Sequence, residues 1–308
     1  MRVVVVHPQA DTCARWSAAL GERLPDAQVR PWPVDWPDTD FAVAWNPPDA
    51  FFEGIRVKEA LFCAGAGVDR LLRHPGLPAA LPVVRVEDAG MGLQMAEYCC
   101  QEVLRVFRRQ ADYELQQRER VWRELEPLPR ERFEIGIVGM GVLGGQVARA
   151  LRVFGFPLLG YSRTPRSVEG VECLSGAEAL PRFLGRCRVL ILLAPLTPET
   201  DSLFDARRLA MLPRGAWLVN VARGALVVDG DLVEAIDRGR LAGATLDVFR
   251  TEPLPAEHPF WGHPRIRITP HVSAVTLIDE TADQIAGKIR RLRRGEAVSG
   301  VVDRTRGY

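Results

Sequence analysis

The most constraining feature of this sequence is a short apolar strand that runs through a glycine-rich turn into a helix. The strand is IGIVG, the turn carries Gly139, Gly141 and Gly144 in the spacing G-x-G-x-x-G, and the helix starts GGQVARAL. This spacing, with a strand before it and a helix after it, predicts a dinucleotide-binding fold rather than a tight turn that binds nothing. We expect Gly139 to allow the tight turn, Gly141 to admit the pyrophosphate, and Gly144 to let the helix pack on the strand. The amides of Val142 and Leu143 would point at the pyrophosphate.

The end of the next predicted strand bears on which dinucleotide fits. About 20 residues after the glycines, an NAD-binding fold carries an acid that accepts hydrogen bonds from the ribose. Here the stretch is YSRTPR, whose possible phosphate donors are Ser162, Arg163, Thr164 and Arg166. Because a 2′-phosphate carries up to about two negative charges, arginines favour it and a carboxylate would repel it. The sequence predicts NADP(H), with NAD(H) bound more weakly, and a basic loop that tolerates NAD is the alternative.

Length and strand pattern predict two α/β domains. The chain has 308 residues, and the apolar strands RVVVVHP and FEIGIVG each begin a new alternation of strands and helices. Continuous apolar strands separated by helices predict parallel sheets covered on both faces. We expect one uninterrupted helix over residues 92–120 between the domains. The last helix, over residues 277–296, is expected to return to the first domain.

Composition argues against several classes of partner. The net charge is +1, so no overall field attracts nucleic acid or an anionic membrane, and basic clusters at 105–110 and 290–296 are interpreted as solvated helix faces. The N-terminal valine run is too short for a signal peptide or a membrane span, which favours a cytoplasmic protein. The cysteines show no C-x-x-C spacing and predict small buried residues rather than a metal or redox site. They are Cys13, Cys63, Cys99, Cys100, Cys173 and Cys187.

Three reactive side chains follow three later strands. Arg223 follows LVNVA, Glu252 lies in DVFRTEPL, and His271 lies in ITPHVSA. Since ligands of doubly wound sheets bind beyond the carboxyl ends of strands, we expect these residues near the glycine turn. Histidine can donate a proton to a carbonyl that accepts a hydride, a neighbouring carboxylate can orient it, and arginine can bind a substrate carboxylate. Singly, each residue could be structural; together, after the dinucleotide motif, they predict an oxidoreductase. Asp247, at another strand end, is interpreted as a ligand of the nicotinamide amide or as a strand cap.

Together these motifs resemble the D-isomer-specific 2-hydroxyacid dehydrogenase family. The serine–arginine tract and the ending VDRTRGY are typical of its A-type glyoxylate and hydroxypyruvate reductases. The matching stretches span nearly the whole chain and are AGAGVD, EDAGMG, GVLGGQVA, YSRTPRS, APLTPET, VARG, DVFRTEPLP and ITPHVSA. The resemblance implies a Rossmann NADP-binding domain, residues 99–275, inserted into a flavodoxin-like catalytic domain formed by residues 1–98 and 276–308.

The resemblance also implies roles for individual residues. Arg223 would orient the substrate carboxylate and carbonyl, Glu252 would partner His271, and His271 would act as the acid or base. The substrate pocket would further include Trp45, Ala66 and Gly67, and the cofactor would also meet Ala194, Pro195, Val221 and Asp247. The implied activity is NADPH-dependent reduction of a short 2-oxoacid, glyoxylate or hydroxypyruvate, by a homodimer. Two alternatives stay open: a dehydrogenase of another D-2-hydroxyacid, and a non-catalytic NAD(P)-sensing protein of the same fold.

Overall fold

The computed structural model describes residues 1–307 and divides them into two compact units. The first unit consists of Met1–Met91 together with the chain from Thr276 onward, and the second consists of Gly92–Val275. The first boundary predicted from the family resemblance, between residues 98 and 99, falls slightly later, within a helix. Tyr308, which ends the VDRTRGY stretch, lies outside the described residues.

Residues 1–307 contain twelve strands and ten α-helices. The strands are β1 (Arg2–Val6), β2 (Gln28–Pro31), β3 (Asp38–Ala44), β4 (Arg56–Cys63), β5 (Val83–Arg85), β6 (Ile135–Val138), β7 (Leu158–Ser162), β8 (Glu172–Ser175), β9 (Val189–Leu192), β10 (Ala216–Asn220), β11 (Leu241–Leu246) and β12 (Ile266–Ile268). The helices are α1 (Ala10–Arg23), α2 (Asp49–Gly54), α3 (Asp69–Leu72), α4 (Met91–Phe107), α5 (Gln110–Glu119), α6 (Val142–Arg152), α7 (Leu180–Leu184), α8 (Ala206–Leu209), α9 (Asp229–Asp237) and α10 (Ile278–Arg293).

The first unit is built on a five-stranded parallel sheet. Its strand order is β2-β1-β3-β4-β5, the order of flavodoxin-like folds, so the predicted architecture of this domain is confirmed. The valines of β1 are buried because parallel sheets of this kind are covered on both faces. Helix α10 packs on α1, where the Arg23 guanidinium lies 2.6 Å from the Asp283 carboxylate. The C-terminal helix therefore completes the layer that the first helix begins.

A partly buried ion pair joins α10 to the segment that follows β5. The Lys288 ammonium lies 3.1 Å from the Glu87 carboxylate and also donates to the Arg85 carbonyl. The Gln284 amide bonds both the backbone N–H and the carbonyl of Glu87, and the Ser299 hydroxyl donates to its carboxylate. Burial alone would raise the pKa of Glu87, but the bonds from Ser299 and Lys288 outweigh it and lower that pKa. This contact joins residues that are about two hundred positions apart.

The second unit is built on a seven-stranded parallel sheet in the order β12-β11-β10-β9-β6-β7-β8. From the central β6 the chain runs outward through β7 to β8 and then crosses back to β9, which pairs with the other edge of β6. The strand order therefore reverses between β6 and β9. Ligands of open α/β sheets bind beyond the carboxyl ends of strands at such a reversal. The predicted doubly wound dinucleotide-type domain is confirmed, and the reversal falls at the glycine-rich turn.

The helix expected over residues 92–120 is interrupted. Helix α4 ends at Phe107 and α5 resumes at Gln110, because Arg109 adopts a left-handed φ of 57°. The Phe107 ring packs between Phe133 and Phe156, with centroids 5.1 and 5.0 Å away, and the Arg130 guanidinium covers it. The Phe107 ring is thus fixed against later segments of the same unit at the point where the helix is interrupted. None of the helices in residues 1–307 combines the length and apolar character needed to cross a membrane.

The cysteines are mostly interior packing residues, as the sequence predicts. Four are buried, Cys100 and Cys173 are half-buried, and no disulfide joins any of them within residues 1–307. The Cys187 thiol donates to the Phe183 carbonyl at 3.1 Å, one turn earlier in the chain. Burial raises the pKa of Cys99 and Cys187, so both remain protonated and poorly nucleophilic.

Candidate active site

The three glycines after β6 differ in what surrounds them. Gly139 has φ +104°, and a Cβ there would lie 2.6 Å from the backbone that joins Leu193 to Ala194. A Cβ on Gly144 would collide with the Gly139 carbonyl. A Cβ on Gly141 would meet nothing within 4 Å. The fold itself requires glycine at the first and third positions, while the second faces open space that a ligand can approach.

The helix after this turn begins with unpaired backbone donors. Helix α6 starts at Val142, and its N-cap, Gly141, has no side chain to accept a hydrogen bond. The first N–H groups of an α-helix have no partner within the helix, so those of Val142 and Leu143 are suited to bind an anion. The Val142 side chain is about half exposed, which leaves this helix end accessible. Open space at Gly141 and these donors together fit the pyrophosphate of a dinucleotide.

The basic loop lies at the carboxyl end of β7, the strand next to β6. The Ser162 hydroxyl donates to the Thr164 carbonyl at 2.7 Å and shapes an exposed turn. The other predicted phosphate donors are all exposed on this turn: Arg163, Thr164 and Arg166. A hydrogen bond from the Thr197 side chain lowers the pKa of Glu199, and the positive charge of Arg163 lowers it further. The basic loop after β7 and the loop after β9, which carries Glu199, are therefore close to each other at this edge of the sheet.

Residues that the sequence analysis assigns to the cofactor continue along the same edge. Ala194 is buried against Gly139, Pro195 is exposed, and Val221 is buried at the end of β10. A further glycine that the sequence analysis misses is Gly160 in β7, where a Cβ would lie 2.8 Å from the Met140 side chain. A glycine inside an apolar strand is the signal that could have revealed this close approach.

Two of the predicted catalytic residues are in direct contact. Glu252 Oε2 lies 2.9 Å from His271 Nδ1, while Glu252 Oε1 accepts the Phe249 backbone N–H at 3.0 Å. The Glu252 side chain is 21 % exposed and the His271 side chain 42 % exposed. The carboxylate is thus partly shielded by its own loop, and the imidazole opens to solvent.

The third predicted catalytic residue, Arg223, lies on the loop after β10. Its guanidinium donates to the Ala222 carbonyl at 2.7 Å, and the Asn220 side chain donates to the Arg223 carbonyl at 2.9 Å. The next residue, Gly224, has no room for a Cβ because the Phe249 backbone lies against it. The loop that carries Arg223 and the loop that carries Glu252 therefore pack backbone to backbone.

Asp247 is fully buried at the end of β11, beneath the His271 loop. Its carboxylate accepts hydrogen bonds from the Thr269 hydroxyl and from the backbone N–H groups of Val272 and Ser273. Its own carbonyl accepts the His271 backbone N–H at 2.8 Å. The expected contact between Asp247 and a nicotinamide amide stays a prediction, since the described contacts of this carboxylate are all made to one loop.

The substrate residues suggested by the family resemblance lie in the first unit. Trp45 follows β3, and Ala66 and Gly67 follow β4, the neighbouring strand. A Cβ on Gly65 would lie 2.5 Å from the Trp45 ring, so glycine is required for the indole to rest on this loop. The Cys63 thiol contacts the Gly67 carbonyl from the strand below. Ala66 and Gly67 were predicted from the sequence, whereas the requirement for glycine at position 65 was not.

Known proteins are similar to this chain in both sequence and fold. A family model described as D-isomer specific 2-hydroxyacid dehydrogenase, NAD binding domain, matches residues 100–273, and a full-length relative is 46 % identical over 314 residues.

This chain belongs to the D-isomer specific 2-hydroxyacid dehydrogenase family.

The full-length relative is glyoxylate/hydroxypyruvate reductase A of Serratia proteamaculans, and the alignment covers 100 % of each protein. Glyoxylate/hydroxypyruvate reductase A of Salmonella enteritidis is also 46 % identical over the whole of both chains. The resemblance predicted from the motifs is therefore confirmed.

Solved structures of family members match the fold over its full length. A D-isomer specific 2-hydroxyacid dehydrogenase from Xanthobacter autotrophicus Py2, in complex with NADPH and MES, is 38 % identical with a TM-score of 0.94 over 99 % of each chain. An NADPH-dependent glyoxylate/hydroxypyruvate reductase from Sinorhizobium meliloti, in complex with NADP and sulfate, is 35 % identical with a TM-score of 0.93 over 100 % of this chain and 99 % of that one. Both similar structures contain the phosphorylated dinucleotide.

Proposed function

We propose that this protein reduces short 2-oxoacids, glyoxylate and hydroxypyruvate, to 2-hydroxyacids with NADPH. The observation that carries the proposal is the 2.9 Å contact between Glu252 and His271 beyond the carboxyl ends of the same sheet that carries the glycine turn. An acid–base pair and a dinucleotide turn are the two parts that hydride reduction of a carbonyl requires. The names of the relatives support the substrate class.

In this proposal His271 donates the proton. A carboxylate oxygen only accepts hydrogen bonds, so the hydrogen between Glu252 and His271 lies on Nδ1. The other ring nitrogen, Nε2, is then the atom that gives a proton to the substrate carbonyl oxygen. The Glu252 carboxylate, which accepts the Nδ1 hydrogen, fixes the orientation of the ring. As the carbonyl carbon accepts a hydride, the proton from Nε2 completes the hydroxyl group.

Substrate binding is assigned to two sets of groups. The Arg223 guanidinium offers two parallel donors to the substrate carboxylate and carbonyl, a geometry that lysine cannot reproduce. The backbone amides of Ala66 and Gly67, in the first unit, are uncharged donors suited to a carboxylate. Trp45, seated on Gly65, would limit the size of the substituent at the substrate's third carbon.

The residues of the second unit fit NADPH. Val142 and Leu143 would bind the pyrophosphate, and Arg163 and Arg166 with Ser162 would bind the 2′-phosphate. When bound, NADPH supplies the hydride. The arginines set the preference over NADH, because they interact with a phosphate that NADH lacks.

We further propose that the protein is a cytoplasmic homodimer. The family resemblance supports this state, and the bacterial relatives support the compartment. Trp122 is fully exposed and follows the exposed Val121, which gives an apolar surface available for subunit contact. Sedimentation velocity would distinguish the dimer from a monomer, and a monomer at all accessible concentrations would contradict this part.

The decisive experiment follows NADPH absorbance after addition of glyoxylate, hydroxypyruvate and a series of larger 2-oxoacids. We expect turnover with the short substrates and a decrease in kcat of roughly 100- to 10,000-fold for His271→Asn, with NADPH affinity retained. His263→Asn is the matched control, since His263 also lies beside a carboxylate, that of Asp237, and has no proposed role. NADPH binding without oxidation by any 2-oxoacid would instead favour a sensing protein. Turnover of only the larger 2-oxoacids would show that the proposed short-chain substrate class is wrong.

A further inference from the structure

We infer that Tyr98 and Thr269 are positioning residues that act through Asp247 to hold the His271 loop in its reactive geometry. The inference rests on the proposed function, in which His271 donates the proton. It assigns a role to two side chains that touch neither the Glu252 carboxylate nor the His271 ring through any described hydrogen bond.

The backbone of His271 shows why its loop needs to be held. His271 has φ +56°, in the left-handed region that residues with a Cβ seldom adopt. Such a conformation costs free energy and persists only where surrounding contacts enforce it. The same residue places its ring nitrogen 2.9 Å from Glu252, so relaxation of the backbone would also move the imidazole.

One buried carboxylate supplies most of the enforcing contacts. Asp247 Oδ1 accepts from the Thr269 hydroxyl at 2.6 Å and from the Val272 N–H at 2.8 Å, and Oδ2 accepts from the Ser273 N–H at 2.9 Å. These donors lie on both sides of His271 in the sequence. Because Asp247 is fully buried, its carboxylate needs these donors in place of water. The same hydrogen bonds hold the loop that carries His271.

The hydrogen bonds have a defined direction. The Thr269 hydroxyl has a single hydrogen, which it donates to Asp247, since a carboxylate oxygen can only accept. The Tyr98 hydroxyl lies 2.6 Å from Thr269 Oγ1 and must therefore be the donor in that contact. Burial raises the pKa of Tyr98, so its phenol keeps the proton that it donates. Helix α4 thus anchors the loop through the chain Tyr98–Thr269–Asp247.

The test compares two substitutions at one position. Thr269→Val removes the hydroxyl while keeping the shape of the side chain, and Thr269→Ser keeps the hydroxyl. We expect kcat of Thr269→Val to fall about 10- to 100-fold, because small displacements of a catalytic group have effects of this size. Thr269→Ser should keep most of the wild-type kcat, and Tyr98→Phe should lose less than Thr269→Val. The dissociation constant of NADPH, measured by fluorescence, should stay unchanged in all three.

A second measurement does not depend on turnover. Amide hydrogen exchange followed by mass spectrometry reports the peptide that contains Val272 and Ser273, whose N–H groups are bonded to Asp247. Thr269→Val should accelerate exchange in this peptide, and Thr269→Ser should not. Thr39→Val removes a buried hydroxyl in the first unit and is the control for general destabilisation, with a lower melting temperature and unchanged kcat.

The outcomes separate this inference from the proposed function. Unchanged kcat in Thr269→Val, or a kcat loss accompanied by an equal loss of NADPH affinity, would overturn the positioning role. Unchanged exchange in that variant would overturn the claim that the hydroxyl holds the loop. A wild-type protein that reduces no 2-oxoacid would refute the proposed function, and the exchange measurement would still decide whether the loop is held.

Discussion

Cofactor preference in this chain depends on individual side chains at the end of β7. Arg163 and Arg166 are exposed on a turn shaped by the Ser162 hydroxyl, where NAD-binding relatives of the fold place an acid. An exposed arginine binds a phosphate strongly, because both partners of the hydrogen bond are charged. The structure therefore offers a place where two substitutions should change selectivity without changing the fold.

The corresponding prediction concerns the double substitution Arg163→Ala with Arg166→Ala. We expect the ratio of kcat/KM for NADPH over NADH to fall about 100-fold or more, because the double substitution removes at least two hydrogen bonds to a charged group and each is worth about 1.5–3 kcal/mol. Steady-state kinetics with both cofactors measures this ratio. Arg163→Lys with Arg166→Lys is the control that keeps the charge and should lose less. Equal losses with the two cofactors would contradict the phosphate assignment.

Some residues of the candidate active site were predictable from the sequence and others were not. Arg223, Glu252 and His271 could be selected because each follows an apolar strand, and parallel strands bring their carboxyl ends to one edge. Gly65 and Gly224 could not, since the need for glycine arises from Trp45 and Phe249, which are distant in sequence and adjacent only after folding. For the same reason, the sequence could not assign Thr269 a partner on helix α4.

At the scale of elements, the loops after β10 and β11 behave as one packed layer. Gly224 follows Arg223 and leaves no space between its Cα and the Phe249 backbone, while Glu252 turns back to bond the Phe249 N–H. The positions of Arg223 and Glu252 are therefore set by loop packing as well as by strand order. The alternation of parallel strands and helices was predictable, whereas the break between α4 and α5 was not, because Phe107 packs there against rings from other segments.

Glycine substitutions test this packing. Gly224→Ala should lower the free energy of unfolding by about 1–3 kcal/mol or more, since an added methyl group has no space, and should reduce kcat by displacing Arg223. Gly230→Ala is the matched control, because a Cβ there meets nothing within 4 Å and the residue lies in α9. That control should gain about 0.5–1 kcal/mol. Chemical denaturation measures both, and equal stabilities of the two variants would show that the loops can separate.

At the scale of the whole molecule, the first unit joins residues from the two ends of the chain. The partly buried contact between Glu87 and Lys288 links α10 to the segment after β5, and a more exposed pair of Glu59 with Arg293 at 2.9 Å is a second link to the same helix. Exposed ion pairs contribute little to stability, while a pair that is mostly shielded from solvent and further hydrogen-bonded is more costly to break. The return of the final helix was predictable from its pattern, but its partner carboxylate was not.

The Glu87 contact gives a prediction about pH. The folded-state pKa of Glu87 lies below its ordinary value of 4.5, so its stabilising contribution is complete above that pH and is lost as the pH falls through the folded value. Glu87→Gln should therefore be less stable than wild type at neutral pH, and the difference should shrink in acid. Thermal unfolding over a pH series measures this, with Glu59→Gln as the control of small effect. A difference that is independent of pH would contradict the assignment.

The division of the chain also has a consequence for its synthesis. When Val275 leaves the ribosome, every residue of the inserted unit has been made, whereas the unit that began with β1 still lacks α10 and the segment around Val301 that pairs with β5. Domains generally fold as units during translation. The strands of the first unit are therefore made early but keep apolar surface exposed until the last 33 residues, 276–308, have emerged. During that interval the nascent chain is most exposed to chaperones and proteases.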